Sequence, residues 1–270
     1  KQRLSEKIPP APGITAMTDS QDGPWFELNR SAEVKTINGL FTYRGYQHVQ
    51  KEMWLMLKPL VDEDQLIMSA GLSQATNVFS GGLITLYREL FIRYLDEYAG
   101  QWQQFMDNLR VVMPLNSGKT PDLAGQQRDL YRLSRLGAAD SPLVKLLQRL
   151  VAETTLLRSA LPAADELVAS GRVPAALKAA GKQWQAEEQT LIWQHMDRHF
   201  SQLRQFVNGT SQGGAGKGSV DGSTALSLLT GQLHQLNILL RLSQDPLVAD
   251  TPRSWAEQAA ALRADAHNWP

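Results

Sequence analysis

The sequence predicts an all-α fold, an elongated multi-helix bundle with long amphipathic helices joined by proline- and glycine-marked turns. Three observations carry that expectation. Apolar residues recur every three or four positions over long stretches, no stretch alternates apolar and polar residues with a period of two, and 20 glycines and 13 prolines punctuate the apolar stripes. With 270 residues, 43% of them hydrophobic, the chain can bury a core as one elongated domain or as two smaller ones. Lys plus Arg (27) equals Asp plus Glu (27), so no net field draws the chain onto nucleic acid or an anionic membrane. Cysteine is absent, which removes disulfides, thiolate nucleophiles and thiolate metal sites together. No apolar run approaches the roughly 20 residues of a membrane-spanning helix, and no signal-peptide pattern opens the chain. A start at Lys1 rather than methionine suggests a piece cut from something longer.

Taken in order, "KQRLSEKI" reads as the tail of a helix halted by "PPAPG" at 9–13, with irregular chain expected from there to about Asn38. Thr42 is an N-cap for a helix through Tyr46, Val49, Met53 and Leu57, kinked at Pro59 and continuing to about Met68 with Asp62, Glu63 and Asp64 in water. The clearest element is a helix over 82–113, striped by Leu83, Tyr87, Leu90, Tyr94, Tyr98, Trp102, Phe105 and Leu109. It would run for roughly 45 Å. Its aromatic stripe reads as packing between helices rather than a cofactor box. Pro114 ends it, and Thr120-Pro121 caps and starts a helix that presents Leu123, Leu130, Leu133 and Leu136 and stops at Gly137. Ser141-Pro142 repeats the start signal for a helix through Leu143, Leu146, Leu147, Leu150 and Leu157, with Lys145, Gln148, Arg149 and Glu153 on its polar side. Pro162 and Pro174 bracket a short peripheral helix. The pattern over Trp184 to Val207 is helical with a bend or break between Trp193 and Phe200, and "NGTSQGGAGKGSVDGS" at 208–223 is a surface loop with almost nothing to pack. Leu226, Leu229, Leu233, Leu236 and Leu240 form a further helix, and Thr251-Pro252 opens the last, through Trp255, Ala259, Leu262 and Ala266. The organisation expected is an irregular N-terminal segment over 1–38, a first helical bundle over 39–160, and a second helical part over 161–270 that contains the glycine-rich loop.

Chemistry is sparse. "NSGKTP" at 116–121 and "GGAGKGS" at 213–219 imitate a phosphate-binding loop, but Met113 and Ser211 occupy the positions where such a loop needs its first glycine. "HMDRH" at 195–199 sets two histidines four apart on a helix, yet Met196 stands where a metalloprotease needs its glutamate base, and the third ligand would have to come from Glu187 or Glu188. The histidines His48, His234 and His267 stand alone, no serine lies in a Gly-x-Ser-x-Gly elbow, and consecutive Asp62, Glu63 and Asp64 diverge around a helix. No catalytic, metal or cofactor-binding residue is assigned, and no small-molecule substrate or nucleic acid is expected.

Several stretches together resemble one family. "GLFTYRGYQHVQKEMWLML" at 39–57, "LYRELFIRYLDEYAGQWQQFMDNLRV" at 86–111, "DSPLVKLLQRLVAETTLL" at 140–157 and "DRHFSQLRQFV" at 197–207 are similar, in this order, to the periplasmic region of the IcmF/TssM family of bacterial type VI secretion systems. The marker positions are Phe41, Thr42, Gly45 and Tyr46, then Trp102, then Ser141, Pro142 and Leu143. In that family a cytoplasmic nucleotide-binding-like domain and inner-membrane helices precede a periplasmic part, which ends in a β-rich segment that meets an outer-membrane lipoprotein. The resemblance implies a non-enzymatic, structural segment in the periplasmic portion of an inner-membrane protein. It implies partners among the other membrane-complex subunits, the outer-membrane lipoprotein TssJ and TssL, and self-association. Neither flanking region is expected between Lys1 and Pro270, so no nucleotide function carries over to these residues. Two other classes are weighed beside it: a cytosolic helical adaptor that binds a peptide in a groove, and a metal-dependent hydrolase using His195 and His199.

Overall fold

The computed structural model describes residues 8–11, 13–18, 25–29, 32–50, 52, 73–112, 123–157, 187–209, 224–243 and 251–266. The fold is mostly α, and the sheet seen among the described residues has two strands. The chain divides into two compact units. The first comprises Lys1–Ala11, Arg30–Asn108 and Ala152–Phe200, and the second comprises Pro12–Asn29, Leu109–Val151 and Ser201–Pro270.

In the first unit a 3-10 turn, Gly39–Phe41, is capped by the Asn38 carboxamide, which accepts from the Leu40 N–H. Helix α2 (43–50) follows, and Thr42 caps it as its sequence context predicts. The Thr42 hydroxyl oxygen accepts from the Gly45 N–H at 3.0 Å, and the Thr42 carbonyl accepts from the Tyr46 N–H at 2.8 Å. The same hydroxyl donates to the Gly39 carbonyl at 2.7 Å, so one side chain closes two consecutive turns. Thr42→Ala is expected to cost about 1–2 kcal/mol, read as a lower urea midpoint; an unchanged midpoint would show that the cap is dispensable. Helix α3, Ser73–Asp107, is the longest element. It starts nine positions ahead of the expected Gly82 and ends at Asp107, because Leu109–Val111 peels away as a strand rather than extending the helix to 113. Tyr87, Tyr98, Trp102 and Phe105 of the expected stripe are buried, but its edge is displaced: Phe91 and Leu95 are fully enclosed, whereas Leu90 is 54% exposed. Helix α6 (187–192) runs into a π-turn, Trp193–Asp197, where the Arg198 N–H donates to the Trp193 carbonyl five residues back. This is the break expected between Trp193 and Phe200, with Ile192, Met196 and Phe200 buried on its inner side.

The second unit holds the structure that the absence of period-two patterning did not foresee. The stretch to Asn38, expected to be irregular, contains helix α1, Ile14–Thr18, and strand β1, Phe26–Leu28. Strand β1 pairs antiparallel with β2, Leu109–Val111, in the register Phe26 to Val111, Glu27 to Arg110 and Leu28 to Leu109. Three-residue strands are too short to display alternation. They pair because the ladder is extended by the Val112 N–H to the Trp25 carbonyl at 2.9 Å, while Arg132 donates to the Val112 carbonyl at 2.7 Å and lies 5.8 Å over the Trp25 ring.

Helix α4 is Leu123–Leu136, and α5 is Pro142–Thr154 with Ser141 as N-cap, its hydroxyl accepting from the Val144 N–H at 3.1 Å. Helix α7 is Ser201–Asn208, α8 is Ala225–Ser243 and α9 is Thr251–Ala266. Val151, Val207 and Leu226 form a core cluster covered by Val144, Leu147, Leu203 and Phe206. Helix α4 ends at Leu136 as expected, but Gly137 is not the left-handed cap that its position suggests; among the described glycines only Gly209 has a positive φ, 79°. Gly137 is needed for a close approach instead. A Cβ there would lie 2.7 Å from the His234 backbone nitrogen on α8. Gly137→Val is therefore expected to push α8 off α4 at a cost of about 1–3 kcal/mol, read by calorimetry. The phosphate-loop imitations at 116–121 and 213–219, the Pro59 kink, the acidic run Asp62–Asp64 and the segment between Pro162 and Pro174 lie outside the described residues.

Candidate functional site

The first unit is organised around three aromatic side chains spaced four apart on α3. The Tyr94 hydroxyl donates to the Leu40 carbonyl, the Tyr98 hydroxyl to the Glu153 carbonyl and the Trp102 indole N–H to the Phe41 carbonyl, each at 2.7 Å. Four-residue spacing stacks side chains along one helical face, so a single face reaches three carbonyls that lie outside the helix. Phe41 sits 5.9 Å from the Tyr94 ring and 6.1 Å from the Tyr98 ring, edge-on to the latter at 82°. Trp102 meets Phe105 edge-on at 5.8 Å. Each ring carries its polar tip to a backbone acceptor, as buried Tyr and Trp require. Among the described residues the large exposed aromatic side chains are Trp193, 59% exposed, and Tyr131, 48% exposed.

Helix α2 lies against this framework and is held at its start by Glu153. The Glu153 carboxylate accepts from the Tyr43 N–H at 2.7 Å, placing negative charge at the positive end of the helix. Glu153 was expected on the polar side of α5; it is 6% exposed, because the last turn of α5 turns that position inward. Further along α2, Tyr46 and Gln50 face Glu188 of α6. One Glu188 oxygen, Oε1, accepts from the Tyr46 hydroxyl at 3.2 Å and from the Gln50 amide at 2.6 Å, and the Gln50 amide also reaches the Tyr46 oxygen. Among the described residues, the other oxygen, Oε2, is buried without a partner. Burial pushes the Glu188 carboxyl above the usual carboxylate range, with the Gln50 and Tyr46 hydrogen bonds opposing the shift. Burial, followed by the Glu188 charge, drives the Tyr46 phenol far up, and burial does the same to Tyr94. Tyr46, Gln50 and Glu188 thus form a buried hydrogen-bonded cluster that ties α2 to α6.

The remaining polar candidates are placed as follows. Glu187 pairs with Arg88 on α3. His195 Nδ1 lies 2.7 Å from the Asp96 carboxylate, also on α3. The same sequence offset separates both pairs, so α6 and α3 run in the same direction. His199 is exposed and lies beyond the π-turn, which breaks the regular helix on which a four-residue histidine pair would share a face. Among the described residues no group of three His, Cys, Asp or Glu side chains can hold a metal ion. Among them, too, no helix is long and apolar enough to cross a membrane.

The sequence profile of the family described as "IcmF-related: Intracellular multiplication and human macrophage-killing" matches residues 1–155. The chain belongs to the IcmF-related family. It is also similar to the type VI secretion system component TssM1 of Pseudomonas aeruginosa, 25% identical over 281 residues, an alignment that takes in 100% of this chain and 24% of that protein. The chain thus spans about a quarter of that relative's length. No solved structure matches it.

Of the positions that carried the IcmF resemblance, Phe41, Thr42, Gly45, Tyr46 and Trp102 come together in the first unit. Phe41 supplies an aromatic wedge and the carbonyl that Trp102 binds, Thr42 the cap, and Tyr46 the hydroxyl on Glu188. Gly45 packs against the Gly39 and Leu40 backbone so closely that a Cβ would overlap it. Ser141, Pro142 and Leu143 belong to the second unit, where they start α5. Gln50 and Glu153 were not singled out from the sequence, and Glu188 was considered only as a metal ligand. Their signal was weak: Gln50 shares the helical face of Tyr46, four residues earlier, and nothing in one sequence ties that face to position 188.

Proposed function

We propose that this chain is a structural, non-enzymatic segment of a type VI secretion trans-envelope membrane complex, lies in the periplasm and mediates protein–protein assembly. Its partners are the other subunits of that complex, the outer-membrane lipoprotein TssJ and TssL among them, and copies of itself. The observation that carries the reading is the similarity of the whole chain to a type VI secretion component. The interior supports it: tyrosine, tryptophan and acid side chains that would otherwise be candidates for chemistry are consumed in fixing α2 and α6 to α3.

Because the chain has no cysteine, its location is open to a direct test. Gln103 is exposed on α3, so Gln103→Cys in the parent protein, with any cysteines of the parent replaced, provides one accessible thiol. A membrane-impermeant maleimide is expected to label it in cells whose outer membrane alone has been made permeable. Labelling only after the inner membrane is broken would overturn the periplasmic placement and favour the cytosolic adaptor. Assembly is tested by Trp102→Ala in the parent protein, which is expected to abolish secretion and recovery of the membrane complex together; secretion at the wild-type level would overturn the structural role.

A further inference from the structure

Helix α8 carries a second apolar face that its own unit does not use. Leu226 is buried in the core of the unit, and Leu229, Leu233, Leu236 and Leu240 are half-buried on the same side. On the other side Leu228, Gly231, Gln235, Ile238 and Leu242 are all exposed, the three large ones at 51%, 39% and 43%. Their spacing alternates three and four, the seam of a two-stranded coiled coil. The seam reads nearly the same from either end, with leucine at both extremes, a glutamine at the centre, and a small residue balanced by a large one between. In an antiparallel pair related by a two-fold axis at Gln235, Leu228 of one copy meets Leu242 of the other, and Ile238 lies level with Gln232, one position from Gly231. Gly231 has nothing within 4 Å of where a Cβ would stand, so the space that Ile238 needs is open. Arg241 is the one residue of α8 with a permanent charge, and the two-fold sets it opposite Leu229 rather than its own counterpart. No like charges on α8 confront each other.

We propose that this face of α8 docks a second copy of the chain, antiparallel, about a two-fold axis through Gln235. A self-complementary patch is what an isologous contact requires, and the polar Gln235 at the centre fixes the register in the way a buried amide does in a coiled coil. At ~1.5 Å per residue the seam runs for about 20 Å, short of what a free-standing dimer burying roughly 800 Å² per partner needs. The contact is therefore weak between free chains and gains strength where an assembly tethers the copies. In that setting it rests on the assembly role proposed above.

The cysteine-free chain makes the test clean. Single-cysteine chains Gln235→Cys and, as an off-seam control on exposed α7, Gln202→Cys are oxidised at matched concentration with copper phenanthroline. Gln235→Cys is expected to give on the order of tenfold more disulfide dimer than the control, since the axis raises the local thiol concentration. Mixing Leu228→Cys with Leu242→Cys is expected to favour the mixed dimer over either like pair. Adding Ile238→Arg to Gln235→Cys is expected to reduce the dimer about tenfold with an unchanged circular dichroism spectrum, because a charge is forced into an apolar seam. Equal cross-linking of Gln235→Cys and Gln202→Cys, preference for like pairs, or indifference to Ile238→Arg would overturn the proposal. So would cross-linking of Gln235→Cys to a different subunit in the assembled complex. Failure here leaves secretion by the parent intact, whereas failure of the assembly role shows as wild-type secretion from Trp102→Ala.

Discussion

Trp102→Ala is expected to destabilise the first unit by about 3–5 kcal/mol, the range for removing a fully buried large aromatic side chain. Trp102 is 0% exposed, so its truncation leaves a space inside the unit. The change has a polar component too. The Phe41 carbonyl loses the indole N–H that it accepts from at 2.7 Å, and an unpaired buried carbonyl costs about 1–3 kcal/mol by itself. Against a typical domain stability of roughly 5–15 kcal/mol, this removes much of the margin. Urea unfolding followed by circular dichroism is the measurement, with Trp102→Phe as the companion variant. The phenylalanine keeps most of the apolar area and the edge contact with Phe105 but donates nothing, so its loss should fall between wild type and alanine. A loss below about 1 kcal/mol for alanine would mean that the aromatic framework does not hold the unit together.

Glu188→Gln is expected to do the opposite, and in a pH-dependent way. The Glu188 carboxyl is held above its usual value, mainly by burial, so the folded state favours the proton more than the unfolded chain does. A raised acid contributes stability that is complete below the unfolded value, ordinarily 4.5, and is lost as pH rises through the folded value. Wild-type stability should therefore decline from mildly acid pH upward. Glutamine cannot ionise and retains an oxygen for Tyr46 and Gln50, so the decline should be absent in the variant and the two chains should differ most at neutral and alkaline pH. Denaturation midpoints between pH 4 and pH 9 test this; parallel wild-type and variant curves would refute an upward shift of the Glu188 carboxyl. Glu188→Ala supplies the control, since it opens a space and leaves the Tyr46 hydroxyl and Gln50 amide without their shared acceptor.

Local instructions were legible wherever one residue acts on its neighbours. Thr42, Ser141 and Thr251 start helices, α4 ends before Gly137, and the irregularity near Trp193 is present, because capping and chain breaking involve atoms within a few residues. The IcmF resemblance was legible too, since it rests on ordered short motifs. The two strands were not: each is three residues long, and their pairing joins positions more than eighty apart. The edge of the buried face of α3 was misplaced at Leu90 for a related reason. A stripe with Leu90 and a stripe with Phe91 and Leu95 are both acceptable helical faces, and only the neighbours decide which one is covered.

The sequence by itself determined that the chain is helical, where several helices start, that no thiol chemistry is present, and which family it joins. Those properties follow from side-chain periodicity, caps and composition, all of which act locally or sum over the chain. Tertiary structure alone decided that Tyr94, Tyr98 and Trp102 spend their polar tips on carbonyls of other segments, and that Glu153 caps a helix more than a hundred residues away. It also decided that Glu188 is a buried acid between Tyr46 and Gln50, while Glu187 beside it pairs with Arg88 at the surface. Adjacent glutamates are equivalent to any local rule. Which of them loses its water is settled by the helix packed against it.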